Sequence, residues 1–198
     1  METLYRSTRE TASHTMTSSQ AVLQGLTPDG GLFVPVELPQ ANFDFDQLAT
    51  LSYQEVAYEV LKLFFTDYTA DELHACIDAA YGDQFDDPAI APVRKHGEQY
   101  YLELFHGPTI AFKDLALQIL PHLMTTAAKK NQLASEVVIL TATSGDTGKA
   151  AMAGFADVPQ TKIIVFYPKN GVSAIQKQQM VTQVGANTAV VALNGNFD

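Results

Sequence analysis

Apolar residues recur at helical spacing twice in the first half of the chain. After Ser52, the residues Tyr53, Val56, Ala57, Val60, Leu61 and Phe64 fall on one face; after Thr69, so do Leu73, Cys76, Ile77, Ala80 and Tyr81. Each run opens with a capping box, Ser52…Glu55 and Thr69…Glu72, in which paired side chains satisfy free backbone N–H groups. Two helices are predicted there. Upstream, "LYRSTRETASHTMTSSQAVLQGL" interleaves Ser and Thr with apolar residues and reads as ordered. Pro28-Asp29-Gly30-Gly31 is a turn signal ahead of a short strand in "LFVP".

From about residue 99 the period changes. "YYLELF", "EVVILTAT", "KIIVFYP" and "TAVVAL" read as strands, and "EVVILTAT" has the unbroken apolar run of a strand buried on both faces. Helices are predicted between them: over 111–130, after "SGDTG", and in "SAIQKQQMVTQ". Over 111–130, Phe112, Leu115, Ala116, Ile119, Leu120, Leu123 and Ala127 share a face. Pro121 is expected to kink that helix against the carbonyl of Leu117. Strand–helix alternation predicts βαβ units and a parallel sheet. The aperiodic "YGDQFDDPAIAPVRKHG" marks a boundary, so residues 1–93 are expected to form a mainly helical α/β domain and 94–198 the first part of a parallel α/β region. The closing "NGNFD" supplies a turn and an Asp placed as the N-cap of a further helix, which reads as a fold truncated partway.

Composition narrows the function classes. A formal net charge of −10 disfavours a nucleic-acid partner, because phosphate backbones are gripped by clustered Lys and Arg. It also disfavours an anionic membrane surface. The single cysteine, Cys76, permits no intrachain disulfide and reads as a small core residue. No secretory signal and no membrane-span pattern is visible, so a soluble, cytoplasmic protein is expected.

Two strand–turn–helix junctions carry candidate chemistry, since ligands of open α/β sheets bind at the carboxyl ends of strands. In "HGPTIAFKD", Lys113 is expected in the first turn of a helix starting near Thr109 or Ile110, the end of the dipole that disfavours a cation. An ordinary lysine of pKa ~10.4 is neutral about once in 2,500 molecules at pH 7, so a nucleophilic one needs help from its setting. The dipole supplies roughly 0.3–1 kcal/mol, and burial has to supply the rest. The alternative is a surface lysine paired with Asp114. In "TATSGDTG", helix-start N–H groups after Ser144-Gly145 can take an anion, or Ser144 and Asp146 can simply cap the helix. Asp146-Thr147-Gly148 spells the triplet of aspartic proteases, but those are β-proteins with two copies, whereas here one copy opens a helix. The five histidines show no metal-ligand spacing, and no G-x-S-x-G elbow is present.

Taken together, "YRSTRE", "AVLQGLTPDGGLFVP", "LELFHGPTIAFKDLALQ", "ILTATSGDTGKAA", "FYPKNGVSAIQKQQMVTQ" and "GNFD" resemble the amino-terminal portion of the threonine synthase family. These are pyridoxal-phosphate enzymes of fold type II, the tryptophan-synthase-β-like fold. The resemblance implies that Lys113 holds pyridoxal 5'-phosphate as a Schiff base. It implies cofactor contacts from Ser144, Gly145, Asp146 and Thr147, and substrate contacts from His106, Thr109, Ser173, Gln176 and Lys177. The implied reaction converts O-phospho-L-homoserine and water to L-threonine and phosphate, in a monomer or homodimer. Asp146 stands where many relatives carry Asn, Ala174 where proline is common, and Glu10 where glycine is common. Family members are more than twice this length, so the chain alone is expected to be inactive. Two other readings stay open: a phospho-lyase of the same fold releasing 2-oxobutyrate, and a non-catalytic fragment using "SGDTG" as an anion site.

Overall fold

The computed structural model describes residues 2–9, 14–143 and 145–195. Glu10 and the expected cap Asp198 lie outside them. The chain forms two compact units, Met1–Ala79 with Leu123–Ala134, and Ala80–His122 with Ser135–Asp198. Position 93/94, where composition changes, falls inside the second unit.

In the first unit, β1 (Tyr5–Ser7) pairs antiparallel with β2 (Phe33–Pro35), Tyr5 opposite Pro35. Between them lie α1 (Ser18–Gln24) and the Pro28–Gly31 turn, in which Gly30 takes a positive φ of 75°. Asp29 gathers that turn, accepting hydrogen bonds from the Ser7 and Thr27 hydroxyls and from Gly31 N–H. α2 (Phe45–Leu48) is followed by α3 (Tyr53–Phe64) and α4 (Ala70–Ala80), and both capping boxes read from the sequence are formed.

The α4 face is core as expected, with Leu73, Cys76 and Ile77 all buried. The α3 face is not: no residue of that helix is buried, and Val60 is exposed. The expected 111–130 helix is broken in two, α5 (Asp114–Leu117) and α6 (Leu120–Lys130). The break falls one turn before Pro121, whose ring has no room against an intact i−4 carbonyl. Tyr68 donates its hydroxyl to the Leu123 carbonyl at 2.9 Å, and Lys130 pairs with Glu72 at 2.9 Å, which ties α6 to the first unit.

In the second unit, β5 (Val137–Ala142), β6 (Thr161–Pro168) and β7 (Thr188–Leu193) form a parallel sheet in the order β5-β6-β7. α7 (Asp146–Phe155) and α8 (Ala174–Val181) make the two crossovers. Central β6 is the buried strand, with Thr161, Ile163, Val165 and Tyr167 inside.

Two expectations are corrected. β5 is an edge strand whose Val138 and Leu140 are 52% and 65% exposed, because the described helices cover one face of the sheet and leave the other open. "YYLELF" does not join the parallel sheet. Its residues 100–102 belong to β4 (Gln99–Leu102), which is antiparallel to β3 (Val93–His96) across a two-residue turn. Gly97 at the first turn position has φ 63°, which glycine adopts without cost and which matches the twist of a hairpin.

Candidate active site

The loop 106–113 precedes α5, and Lys113 is the residue just before that helix, in ordinary right-handed backbone (φ −64°). It does not lie in a first helical turn, and α5 is only four residues long. Its expected surface partner Asp114 is itself buried, 1% exposed, and faces inward. Asp114 accepts Thr109 N–H on Oδ2 at 2.8 Å and the Thr109 hydroxyl on Oδ1 at 2.7 Å. These two bonds close the turn over Ile110, a β-branched residue held at φ 64°. That conformation is a genuine outlier for such a side chain and persists only where surrounding contacts over-determine it.

Freed from Asp114, Lys113 Nζ reaches Asp146 Oδ2 at 2.6 Å, 33 residues on. It also lies 4.6 Å from the centroid of the Phe112 ring. The lysine is 27% exposed and its partner 48%, so as a stabilising bond the pair contributes roughly 0.2–1 kcal/mol. Its value is geometric, because it joins the two junctions picked out by sequence. The lysine's hydrogen bond holds the Asp146 carboxyl below the usual carboxylate range.

Asp146 opens α7 directly beyond the carboxyl end of β5. Ser144, expected in the same loop, lies outside the described residues. The helix start is capped by Thr143, a residue the sequence reading passed over. Its hydroxyl oxygen accepts from Gly145 N–H and Gly148 N–H, both at 3.0 Å. Thr143 is buried, and a Ser/Thr just ahead of a helix was the available signal. Gly145 has φ 151° and the Gln176 carboxamide packed where a Cβ would stand, so glycine is the residue that fits. That contact brings the start of α8 against the start of α7. Ser173 and Gln176 form a capping box there, the serine hydroxyl accepting Gln176 N–H at 3.2 Å. Lys177 follows, exposed. Thr147 is exposed on the first turn of α7.

His106 and Thr109 lie on the lysine loop, with their side chains already engaged. Thr109 serves Asp114, and both ring nitrogens of His106 face carboxylates, Asp86 and Glu103. Lys113, Asp146, Gly145 and Gln176 therefore come together at the carboxyl end of a parallel sheet. An open cavity of about 590 Å³ beside Thr3, Val36 and Pro39 lies in the first unit and contains none of these residues. Among the described residues no group of three or more His, Cys, Asp or Glu is arranged to hold a metal ion.

A lysine amine beside helix-start amides, at the carboxyl end of a parallel α/β sheet, defines the class of α/β proteins in which an amine can meet a small anionic ligand. Comparison narrows the class. Residues 4–81 match the family described as "Threonine synthase N terminus". The chain is 41% identical over 199 residues to threonine synthase of Pseudomonas aeruginosa, covering 98% of this chain and 41% of that protein. In fold it is similar to threonine synthase from yeast, with a TM-score of 0.90 at 32% identity, over 100% of this chain and 42% of that one. It is also similar to a threonine synthase from Brucella melitensis solved with PLP bound, with a TM-score of 0.87 at 37% identity, over 99% of this chain and 42% of that one. Across its whole length the chain is similar to the amino-terminal portion of threonine synthases. It spans about two-fifths of the length of the curated threonine synthases it matches.

Proposed function

We propose that this chain supplies the cofactor lysine and part of the substrate cradle of a threonine synthase, a pyridoxal-phosphate-dependent carbon–oxygen lyase that makes L-threonine and phosphate from O-phospho-L-homoserine and water. The observation that carries the reading is the 2.6 Å pair between Lys113 Nζ and Asp146 Oδ2. The residues present fit an aldehyde cofactor: a partly exposed primary amine beside a helix start whose Thr147 is exposed. When bound, pyridoxal phosphate supplies an electron sink for negative charge developing on substrate carbon. Lys113 is the group assigned to hold it.

This chain's own residues have three tasks in that scheme. Lys113 leaves its ion pair, gives up a proton from Nζ to become nucleophilic, and later carries protons to and from the substrate's Cα and Cβ. Asp146 orients the amine while it is charged and, once released, accepts from a hydroxyl donor. Thr143 holds the α7 start in place so that Thr147 faces the ligand, and Ser144 is assigned to the cofactor from the resemblance alone. Ser173, Gln176 and Lys177, at the start of α8 beside Gly145, are assigned to the substrate. A cytoplasmic setting and a monomeric or homodimeric enzyme complete the proposal. No helix among the described residues is long and apolar enough to cross a membrane.

The test is an absorbance spectrum of the intact polypeptide with pyridoxal phosphate, followed by borohydride reduction and peptide mapping. Reduction of the label onto Lys113, with threonine and phosphate as products, is the expected result. A label elsewhere, or none, removes Lys113 from its role. Release of 2-oxobutyrate instead of threonine assigns the phospho-lyase reaction.

A further inference from the structure

The loop that delivers Lys113 begins at His106, whose ring is clamped from both sides. Nδ1 faces Asp86 Oδ1, Nε2 faces Glu103 Oε2 at 2.9 Å, and Asp86 N–H donates to the His106 carbonyl at 3.0 Å. Ionised carboxylates only accept, and a neutral imidazole has one N–H, so filling both bonds requires the imidazolium. The histidine side chain is 12% exposed, against 24% for Glu103 and 77% for Asp86. Two further charges face the cluster. Arg94 binds Asp87 at 2.6 Å and places Nε 3.6 Å from Glu103, and the Phe105 ring lies 4.7 Å from the imidazole. Three carboxylates therefore surround one guanidinium and one histidine.

We propose that His106 is a positioning residue whose two-carboxylate clamp fixes the entry to the 107–112 turn and, through it, the direction of Lys113. The far end of the turn is fixed by Asp114 and Thr109. Gly107 packs so closely on the Asp114 side chain that an added Cβ would lie 2.5 Å from it. With both ends held, the left-handed Ile110 between them is kept in a conformation it would otherwise leave. The consequence for catalysis rests on the cofactor-lysine reading; the clamp itself does not.

The two hydrogen bonds, from Glu103 first and Asp86 second, raise the imidazole pKa above its ordinary 6.5. A raised folded-state pKa contributes order that is fully present below the ordinary value and is lost as pH rises through the raised one. Above that point the ring keeps one N–H, and one carboxylate must release it.

Hydrogen exchange on the intact polypeptide without cofactor tests this, with His106 titrated in parallel by imidazole NMR. After correction for intrinsic rates, protection over 105–114 is expected to fall about tenfold as His106 loses its proton, while β6 is unaffected. Asp86→Asn, at an exposed position, is expected to lower the His106 midpoint and the protection midpoint together. His106→Gln, which can donate and accept but never charge, is expected to give a flat profile. The pH dependence of borohydride trapping on Lys113 should carry the same midpoint in wild type and lose it in His106→Gln. Protection over 105–114 that ignores the His106 titration, or that stays put when Asp86→Asn moves it, overturns the proposal. If the exchange results hold and no label reaches Lys113, the clamp stands and the cofactor reading fails.

Discussion

The two junctions that meet at Lys113 and Asp146 are built by opposite means. The α7 junction is a product of its sheet. β5 ends at Ala142, the chain turns, and Thr143 caps the helix from within six residues of sequence. The lysine loop is launched by no strand of the parallel sheet and received by no long helix. It is held by side chains drawn from separate segments: Asp86 and Glu103 at its start, Asp114 at its end. The first junction rests on one buried hydroxyl and one glycine, whereas the second shares its hold among three carboxylates, so removing one of them loosens it rather than undoing it.

The sharpest break comes at the shared point. Lys113→Ala is expected to abolish trapping of pyridoxal phosphate at this position and to lower turnover of the intact enzyme on the order of 10³-fold or more. Lys113→Arg should not rescue, because a guanidinium keeps its charge and cannot act as an amine nucleophile. Retained turnover in the alanine variant would sever the amine from the reaction.

Next in size is the buried carboxylate. Asp114→Ala strands both the Thr109 N–H and its hydroxyl away from water, at a cost of about 1–3 kcal/mol each. Thr109→Val strands less and should cost roughly half as much in urea unfolding. A double variant that costs no more than Asp114→Ala alone would show that the two act as one unit. On the other junction, Gly145→Ala meets both the φ of 151° and the Gln176 carboxamide, and about 1–3 kcal/mol is expected. Adding Gln176→Ser should recover only the steric part, since the backbone angle remains. Full recovery would mean that the angle carries no strain.

The same contrast explains what could be read in advance. Capping boxes, the α4 face and the three parallel strands β5–β7 are written in short-range pattern and are formed, and the kink expected at Pro121 is a full break. "TATSGDTG" announced a strand-to-helix turn for the same reason. The lysine loop could be suspected but not built, because one of its supports is non-local: Asp86 is 20 residues from His106 and carries no motif of its own. Asp114 misled for a related reason. Adjacent opposite charges look like a surface pair, yet successive residues point in different directions, and Asp114 turned inward to Thr109. The burial of β5 was overestimated because an apolar strand sequence states what a strand can be packed against, not what covers it.

The smallest predicted effect is also the most diagnostic of how the junctions communicate. Asp146→Asn keeps a hydrogen-bond acceptor for Lys113 but removes the charge. With both partners partly exposed, only roughly 0.2–1 kcal/mol of stability should be lost near neutral pH. Because the Asp146 pKa is depressed in the folded chain, its contribution is present above the ordinary carboxylate value and fades as pH falls through the depressed one. Wild type and Asp146→Asn should therefore differ in urea midpoint at pH 7 and converge at strongly acidic pH. A difference that persisted there would place the effect in packing rather than charge.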